Sequence, residues 1–477
     1  MSSAEHVLAL DLGSSSVRAL VLDAGAGLRV RALSRRQVRI ELRPDGAATL
    51  DPHTYVAAVH HCLDELRDAG SLDGVTRVAV ASQWHSLLVV DGRGDPVTPV
   101  FTWAGNQELC APGITTDEAE RLRLATGCEL ATLYWTLRVP WLRASGAVPR
   151  GAVLVSIAGH VLEALVGRRT ESASIASGTG LLDLAELAWH PAALDVAGIA
   201  TGELPELAPS GEALPGGPTL ARRYPQLARV PWHVAVGDGA AATVGSGAVP
   251  GRDLTITVGT SAAARLLERR DSAGRLQRGC WRYLVDDETV VTGQAWSGGG
   301  NLFAWAQEVL RLPADPDELE ALLAAVPERA IPIAVPYLYG PRPGNPAELR
   351  SGRWTGLSAQ VTAAGLLAGL LDGLGFELRL GIANLEEQAG RPASRVLLGG
   401  GAVTASRWWQ RRLGAQLGSP HMCLVTEPEV TAVGAAAQAA GLAWTPPLES
   451  LAAVPELAGR WDRRFEEYLG AREEAIG

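Results

Sequence analysis

One isolated carboxylate and two glycine-rich turns are the parts of this sequence best suited to chemistry. Asp238 stands between two glycines in Val234–Val249 (VAVGDGAAATVGSGAV), where an apolar strand runs into a small-residue helix. A dozen residues later, Leu254–Arg265 (LTITVGTSAAAR) is a predicted strand that ends in Gly-Thr-Ser. A carboxylate with no charged neighbour in the sequence is suited to accept a proton. We therefore predict that Asp238 is a catalytic base and that the later turn holds a phosphate.

A turn near the N-terminus has the same character. The tip DLGSSS joins two predicted strands, Val7–Leu10 and Val17–Asp23, in a hairpin. Asp11 at this tip can carry Mg²⁺ directly or through water, because Mg²⁺ prefers oxygen ligands. Backbone N–H groups and hydroxyls for an anion come from Gly13, Ser14 and Ser15. Taken alone, the turn is equally compatible with an ordinary hairpin.

The two turns follow one pattern. LALDLGSSSVRALVLD and LTITVGTSAAARLLER each read strand, glycine with hydroxyls, arginine and strand, about half a chain apart. An internal duplication is a more specific signal than either copy by itself. Two such halves facing one another would close a nucleotide between them.

Further candidates lie on predicted loops. The strand Val75–Ala81 ends just before Gln83, Trp84 and His85, and ligand-binding residues collect at strand ends in α/β sheets. A single histidine there is equally interpreted as a hydrogen-bonded structural residue. Trp103 is a second aromatic candidate for a sugar-facing wall, or it simply packs. Gly298 belongs to a glycine triplet that either brings backbone against a ligand or forms a flexible turn.

The predicted elements around these residues alternate between strands and helices. Asp51 and Pro52 suit the start of a helix that reaches Gly70. Residues 331–357 carry Pro and Gly throughout and predict an irregular connection. The remaining long patterns are helical over Thr116–Val166, Thr362–Glu387 and Glu427–Gly441, with a strand at Val396–Leu398.

Bulk composition narrows the class of protein. A chain of 477 residues is expected to form two or three domains, and 47% hydrophobic with 20% charged residues is typical of a globular protein. A net charge of −10 argues against a nucleic-acid binder. Apolar runs of membrane-spanning length and a basic leader are absent, and the five cysteines are scattered, so we expect a cytoplasmic protein without a membrane partner.

The chain contains no lysine, so all 42 of its basic residues are arginine. This excludes a Schiff-base lysine, a Walker A lysine and the lysine of protein kinases. A protein of this composition that handles ATP must hold the phosphates with backbone N–H groups, hydroxyls, metal and arginine.

Together these motifs resemble the FGGY family of carbohydrate kinases, within the actin and sugar-kinase superfamily, over nearly the whole chain. The resemblance rests on DLGSSSVRA, VGDGAAATVGSGA, TITVGTSAAAR and LLGGGAVTAS with EPEVTAVGAAAQAA, in the family's order. It implies an α/β fold of two ribonuclease H-like (actin-like ATPase) domains with a central cleft. We expect one domain over residues 1–247, with the sugar side, the first turn and the catalytic aspartate. A second, over 248–477, is expected to hold the second turn and the adenosine side.

The resemblance also implies residue roles and an activity. Asp238 matches the general base, and Asp11 matches the aspartate that helps hold Mg²⁺, with Asp238 expected beside the same ion. The expected ATP contacts are Gly13, Ser14, Ser15, Gly259, Thr260, Gly298, Gly400 and Gly401. The expected sugar contacts are Gln83, Trp84, His85, Trp103 and Asp238. The implied reaction is in-line transfer of the ATP γ-phosphoryl group to a sugar hydroxyl.

The sugar is less determined. TGCELATLYWTLRVPWL, SIASGTGLLDL, WHSLLVVD and TWAGNQ look most like the gluconate kinases of the family. Gly105 and Gln107 replace the Asp and Arg usual in the last motif, and Arg342 is kept where the neighbouring Glu of a GER-type motif is gone. Losing a cation counts against an anionic substrate, so xylulose, another ketose or a polyol is the alternative. A homodimer stays open, as does a different class of function, a non-catalytic nucleotide-binding regulator of the same fold.

Overall fold

The computed structural model describes residues 5–476, apart from 106, 108, 110–112, 150, 343–350, 419–420 and 452–457. Within these residues the chain forms two mixed sheets of seven strands each, smaller sheets of two and three strands, and helices that pack against them.

The strands are, in chain order, β1 His6–Leu12, β2 Ser16–Asp23, β3 Arg29–Gln37, β4 Glu41–Leu42, β5 Ala48–Leu50, β6 Val75–Ser82, β7 Leu88–Val90, β8 Val100–Phe101, β9 Val153–Val155, β10 Thr170–Ser172, β11 Leu182–Asp183, β12 Ala188–Trp189, β13 Glu206–Ala208, β14 Ala213–Leu214, β15 Trp232–His233, β16 Val236–Gly237, β17 Asp253–Val258, β18 Ala262–Arg269, β19 Trp281–Leu284, β20 Thr289–Trp296, β21 Ile333–Val335, β22 Arg353–Thr355, β23 Arg395–Gly399, β24 Met422–Val425 and β25 Leu448–Leu451.

The α-helices are α1 Pro52–Asp68, α2 Thr116–Thr126, α3 Trp135–Ala144, α4 Ile157–Val166, α5 Ala173–Ser177, α6 Pro191–Ala197, α7 Pro218–Arg223, α8 Asp238–Gly245, α9 Asn301–Val309, α10 Pro316–Ala325, α11 Ala363–Ala389, α12 Gly401–Thr404, α13 Arg407–Gln416, α14 Val430–Ala440 and α15 Ala458–Ile476. Short 3₁₀ helices cover Thr201–Glu203, Pro225–Leu227 and Glu328–Ala330.

The first large sheet has the order β14-β15-β6-β1-β2-β3, with β16 also paired to β6. The hairpin predicted at the N-terminus is confirmed, since β1 and β2 are antiparallel with Asp11 opposite Arg18. On its other side β1 pairs in parallel with β6. The residues of β1 are buried throughout, as expected for a central strand covered on both faces.

The second large sheet repeats this arrangement in the order β19-β20-β18-β17-β23-β24-β25. Its central strand β17 is antiparallel to β18 and parallel to β23, as β1 is to β2 and β6. The internal duplication that the sequence indicates is therefore present in the fold. Both duplicated turns lie at the same end of their central strands.

Two helices of small residues join the two halves. Helix α8, from the first half, and α14, from the second, cross so closely that a Cβ on Gly245 would lie 1.8 Å from the Val430 carbonyl oxygen. A Cβ on Gly434 would lie 1.9 Å from the Ala241 oxygen. Five buried residues of α14 belong to the same hydrophobic cluster as the first sheet, namely Ala432, Val433, Ala435, Ala436 and Ala437. The small-residue pattern in the sequence thus encodes the contact between the halves.

Local signals also decide where helices begin. The Asp51 side chain accepts a hydrogen bond from the Thr54 N–H, with Pro52 in the first turn of α1 as predicted. Thr362 caps α11 in the same way through the Gly365 N–H. The predicted irregular connection after residue 331 contains a two-stranded pair, β21 with β22, on either side of residues 343–350. None of the described helices is long and apolar enough to cross a membrane.

Candidate active site

A cavity of about 310 Å³ opens between the ends of the two large sheets. Residues from both halves of the chain line it, and both duplicated turns reach its wall. Of the residues predicted as a site from the sequence, the cavity brings together Ser14, Trp84, His85, Trp103, Asp238, Gly259 and Thr260.

Asp238 is the first residue of α8, directly after β16. Its Oδ1 accepts a hydrogen bond from the Gly239 N–H at 2.8 Å, and the N-terminal end of a helix favours a negative charge. Burial raises the pKa of Asp238, while the positive charge of Arg265 opposes this rise. The sequence suggested an isolated carboxylate, and this is wrong in space, because Arg265 from the second half of the chain supplies a cation.

The glycines beside Asp238 make room for an aromatic ring. A Cβ on Gly237 would lie 1.9 Å from Cε2 of Trp84, and one on Gly239 would lie 2.7 Å from Cζ3. The indole N–H of Trp84 donates to the Ser174 carbonyl at 2.9 Å. Trp84 therefore packs against the turn that carries Asp238, and its ring lines the cavity.

His85 is held as a neutral hydrogen-bond acceptor. Its Nδ1 donates to the Gly178 carbonyl at 2.6 Å, which leaves Nε2 as the acceptor on the ring. Burial lowers the pKa of His85 to about 3, and the nearby charges of Arg138 and Arg342 act in the same direction. The ring is uncharged at neutral pH, so it is suited to a substrate hydroxyl. Its backbone has a φ of 65°, in the left-handed region that non-glycine residues rarely adopt.

The first turn carries a carboxylate, Asp11, whose arginine partner also pairs with the other half of the chain. Arg18 lies 3.5 Å from Asp11 and 2.9 Å from Glu429, which directly precedes α14. Burial raises the pKa of Asp11 to about 7, against the lowering effect of Arg18. The charges of Asp238 and Glu429 raise it further, so Asp11 and Asp238 act on each other.

The second turn is supported by glycines. The Gly300 N–H donates to the Gly259 carbonyl at 2.7 Å, and a Cβ on Gly299 would lie 2.8 Å from Ser261 backbone. Gly400 has a φ of 100°, and a Cβ there would lie 2.4 Å from the Val258 carbonyl oxygen. These close approaches explain why this end of β17 is surrounded by residues without side chains.

The other predicted residues lie near the cavity without lining it. Gln83 is 1% exposed, with its backbone N–H on the Leu12 carbonyl at 3.0 Å and its side chain beside the Tyr55 hydroxyl. Gly13 offers its carbonyl to the Tyr55 hydroxyl at 2.8 Å. Gly298 makes ordinary contacts with Leu302, whereas its neighbours Gly299 and Gly300 pack on the turn. The remaining three, Asp11, Ser15 and Gly401, lie on or beside the turns.

Sequence reasoning missed several residues of the cavity wall. The hydroxyls of Tyr134 and Tyr283 are 2.6 Å apart, and Trp281 stacks on Tyr283. Arg265 also lines the wall, and Arg342, named only for its motif, does too. The repeated arginine of the two hairpins was the one available signal for Arg265. Tyr283 comes from an ordinary strand, so nothing in its local sequence marks it.

The residues present fit Mg²⁺ and a nucleotide triphosphate. Mg²⁺ in phosphate sites is bound by one or two carboxylates together with phosphate oxygens and water, and Asp11 and Asp238 supply two carboxylates. Clusters of three or more metal-binding side chains do not occur among the described residues. Gly259 and Gly401 give the open backbone that phosphates need, since nothing lies within 4 Å of a Cβ built on either residue.

Comparison with known proteins agrees with this geometry. The family model for the N-terminal domain of FGGY carbohydrate kinases matches residues 6–245, and the model for the C-terminal domain matches residues 254–443. The chain is 23% identical to a gluconokinase of Bacillus subtilis, over 95% of this chain and 90% of that protein. It is 29% identical to a xylulose kinase of Streptomyces coelicolor, over 99% of this chain and 94% of that protein.

Solved structures show the same fold. A gluconate kinase from Lactobacillus acidophilus has a TM-score of 0.87 at 21% identity, covering 100% of this chain and 99% of that one. A xylulose kinase from the same organism has a TM-score of 0.86 at 21% identity, with 98% of each chain covered. The expected two-domain actin-like ATPase fold is confirmed. Since the two family models together span most of its residues, the chain belongs to the FGGY family of carbohydrate kinases.

Proposed function

We propose that this carbohydrate kinase transfers the γ-phosphoryl group of ATP to a hydroxyl of a sugar or sugar acid, with Asp238 as general base. The observation that carries the proposal is the cavity itself. It holds a buried carboxylate at a helix N-terminus between two glycine turns that can each receive phosphate oxygens. Phosphoryl transfer needs positioning and charge stabilisation more than covalent chemistry, so such a site is sufficient.

In the proposed reaction, Asp238 accepts the proton of the acceptor hydroxyl as its oxygen attacks the γ-phosphorus. The bond from that phosphorus to the β–γ bridging oxygen breaks, and ADP leaves with the electron pair. Ser14 from the first turn and Thr260 from the second lie on the same cavity wall and can donate to phosphate oxygens. Asp11 and Asp238 would hold Mg²⁺, which would neutralise charge on the phosphates.

The sugar lies against the aromatic side of the cavity in this proposal. His85 Nε2 accepts one hydroxyl, and the paired hydroxyls of Tyr134 and Tyr283 offer a further polar edge. Trp84 and Trp103 give ring surfaces for the sugar's C–H faces. A gluconate-like acid and a ketose such as xylulose both satisfy these contacts, in line with the names of the two groups of relatives.

Substitution of Asp238 by Asn tests the base directly. We expect kcat for sugar phosphorylation to fall by about 10²–10⁴-fold, since the amide cannot take the proton, while ATP binding measured by calorimetry is kept. Asp183→Asn, in an outlying two-stranded sheet, is the matched control and should retain activity. Wild-type kcat in the Asp238→Asn variant would show that another group is the base.

A screen for ADP release separates the kinase from a non-catalytic regulator of the same fold. The panel contains ketoses, aldoses, polyols and aldonates, each with ATP and Mg²⁺. We expect release that depends on at least one acceptor. ATP binding without transfer to any acceptor would favour the regulator. The four described cysteines are free thiols, which supports a proposed cytoplasmic location, and the oligomeric state stays a prediction.

A further inference from the structure

Positive charge exceeds negative charge in the wall of the cavity. Asp238 is the one carboxylate among the described lining residues, whereas Arg265 and Arg342 both face the same space. Behind the wall, Arg138 is fully buried and donates to the carbonyls of His85 at 3.1 Å and Thr102 at 3.0 Å. The described lining residues therefore carry more positive than negative side chains, while the charge of Glu129 acts on Tyr134 and Tyr283 from outside the lining.

Arg342 is a cavity arginine that makes no ion pair with the described residues. No carboxylate of the described residues lies within 4 Å of it, and its buried Nε has no hydrogen-bond partner among them. Burial lowers the pKa of Arg342 to about 10, and the nearest ionisable groups are Tyr283 and Tyr134. The guanidinium carbon lies 4.3 Å from the ring centre of Trp103, and this stacking restricts the orientation of the guanidinium plane.

Arg265 has a different task. Its charge acts on Asp238, whose pKa it lowers, and its Nη1 donates to Thr257 at 3.2 Å. Arg265 and Asp238 line this cavity, which we call the inner cavity, and do not line its neighbour. Arg342 lines both the inner cavity and this second cavity of about 490 Å³, which we call the outer cavity. The two arginines thus occupy different parts of the site. Arg265 lies beside Asp238, and Arg342 lies where the inner and outer cavities meet.

Arg412, a second buried arginine that stacks on tryptophan, shows the carboxylate partners that Arg342 lacks among the described residues. Arg412 lies 2.7 Å from Asp372 and 2.6 Å from Glu328, and it packs over Trp408 and Trp461. Burying a charge without such a partner is strongly unfavourable, and a bound anion would offset that cost. Both arginines stack on tryptophan, so the difference between them is the missing carboxylate.

The departures Gly105 and Gln107 do not remove a cation from this cavity. Gln107 is 4% exposed and does not line the inner cavity, and the described residues leave its amide without a partner. A Cβ on Gly105 would lie 2.4 Å from Gln107 Oε1, so the two departures fit one another. The argument against an anionic substrate from these two positions therefore loses its force.

We propose that the acceptor carries a carboxylate at the end remote from the phosphorylated hydroxyl, and that Arg342 binds this carboxylate. This inference rests on the proposed function. The acceptor is an open-chain aldonate that extends from Asp238 to Arg342, past His85 and the tyrosine pair. Trp103 packs against the guanidinium and restricts its orientation.

Acceptors matched in length test the proposal. D-Gluconate and D-glucitol differ at one terminal carbon, as do D-xylonate and xylitol, and D-xylulose represents the ketoses. With the full chain, ATP and Mg²⁺, kcat/KM for at least one aldonate should exceed that of its polyol by about 10²-fold or more, because a site built for a charged group rejects the analogue without it. A preference for xylulose or a polyol over both aldonates would overturn the inference and leave the proposed kinase intact. Transfer to no acceptor would overturn both.

Variants of Arg342 then test whether this residue binds the carboxylate of the acceptor. Arg342→Gln should lower kcat/KM for the preferred aldonate by about 10²-fold, mainly through KM, and change the matched polyol by about twofold at most. Arg342→Lys should restore part of the loss, since it keeps the charge without the planar fork. Arg31→Gln, an exposed arginine paired with Asp23, is the charge-matched control.

Two results would overturn the assignment. One is an equal loss for the aldonate and the polyol in Arg342→Gln, which shows a role without carboxylate recognition. The other is a carboxylate-selective loss in Arg265→Gln, which gives the carboxylate to the other arginine. Thermal unfolding of each variant checks folding, and Arg342→Met, which keeps the volume without the charge, gives the same kinetic comparison should the Gln variant unfold.

Discussion

The two duplicated hairpins have the same strand pairing, with turns of four and three residues, and different charges. In the first, Asp11 lies opposite Arg18 across the strands, and Arg18 also pairs with Glu429 from the other half of the molecule. In the second hairpin, the pair at the position of Asp11 and Arg18 is Thr257 with Ala263. The arginine, Arg265, lies two residues further from the turn, opposite Thr255. Thr257 therefore takes the place of an acid at the end of the strand.

This difference in charge indicates that the two hairpins have different roles, although their sequences are similar. The first hairpin supplies a carboxylate suited to a cation, with Arg18 holding it. The second hairpin supplies a positive charge that reaches across the cleft to Asp238. The two hairpins thus differ in charge, with an acid and an arginine paired across the first and an arginine that acts on Asp238 from the second.

The largest expected effect comes from removing the acid of the first hairpin. Asp11→Asn should weaken the apparent affinity for Mg²⁺ in the kinase assay by about 10–100-fold, the range for residues that orient metal-bound groups. Titrating Mg²⁺ at saturating ATP and acceptor measures the change. Asp23→Asn, at the far end of the same hairpin, is the control. An unchanged Mg²⁺ dependence would show that the two hairpins do not differ in this task.

Removing the arginine of the second hairpin should move the pH profile. Arg265 lowers the pKa of Asp238, so Arg265→Gln raises it, and the base is then protonated up to a higher pH. The acidic limb of the kcat/KM profile should move to higher pH, with a loss of kcat near neutral pH smaller than that of Asp238→Asn.

The control for this shift keeps the charge of Arg265 and removes the hydrogen bond that holds its guanidinium. Thr257→Val deletes the hydrogen bond to Arg265 Nη1 and should move the acidic limb less than Arg265→Gln does. A limb that moves to lower pH in Arg265→Gln, or stays in place, would contradict the electrostatic role assigned to the second hairpin.

The smallest expected effect is at the ion pair that only the first hairpin makes with the other half. Glu429→Gln leaves Arg18 with Asp11, so the free energy of unfolding should fall by about 1 kcal/mol or less, as is usual for partly exposed pairs. Chemical denaturation measures this change, with Glu449→Gln as control. A loss of several kcal/mol would show that this pair holds the two halves together.

Local sequence was enough for a large part of the fold. The two hairpins, the helix caps at Asp51 and Thr362 and the small-residue helix α14 follow from turn residues, capping residues and side-chain size near each position. The short strands on either side of residues 343–350 were missed, because three residues give little periodic signal. The domain limits 1–247 and 248–477 stay predictions.

For the site, the sequence by itself predicted the turn that carries Asp238 and the two glycine-rich turns, because glycines, hydroxyls and the carboxylate are adjacent in the chain. Only the tertiary structure decided which charges meet. Arg265 reaches Asp238 and Arg342 reaches Trp103 across the cleft, over separations that no local pattern encodes. Strand pairing and the crossing of α8 with α14 bring these side chains together, so the electrostatics of the cavity belong to the packing of the two halves.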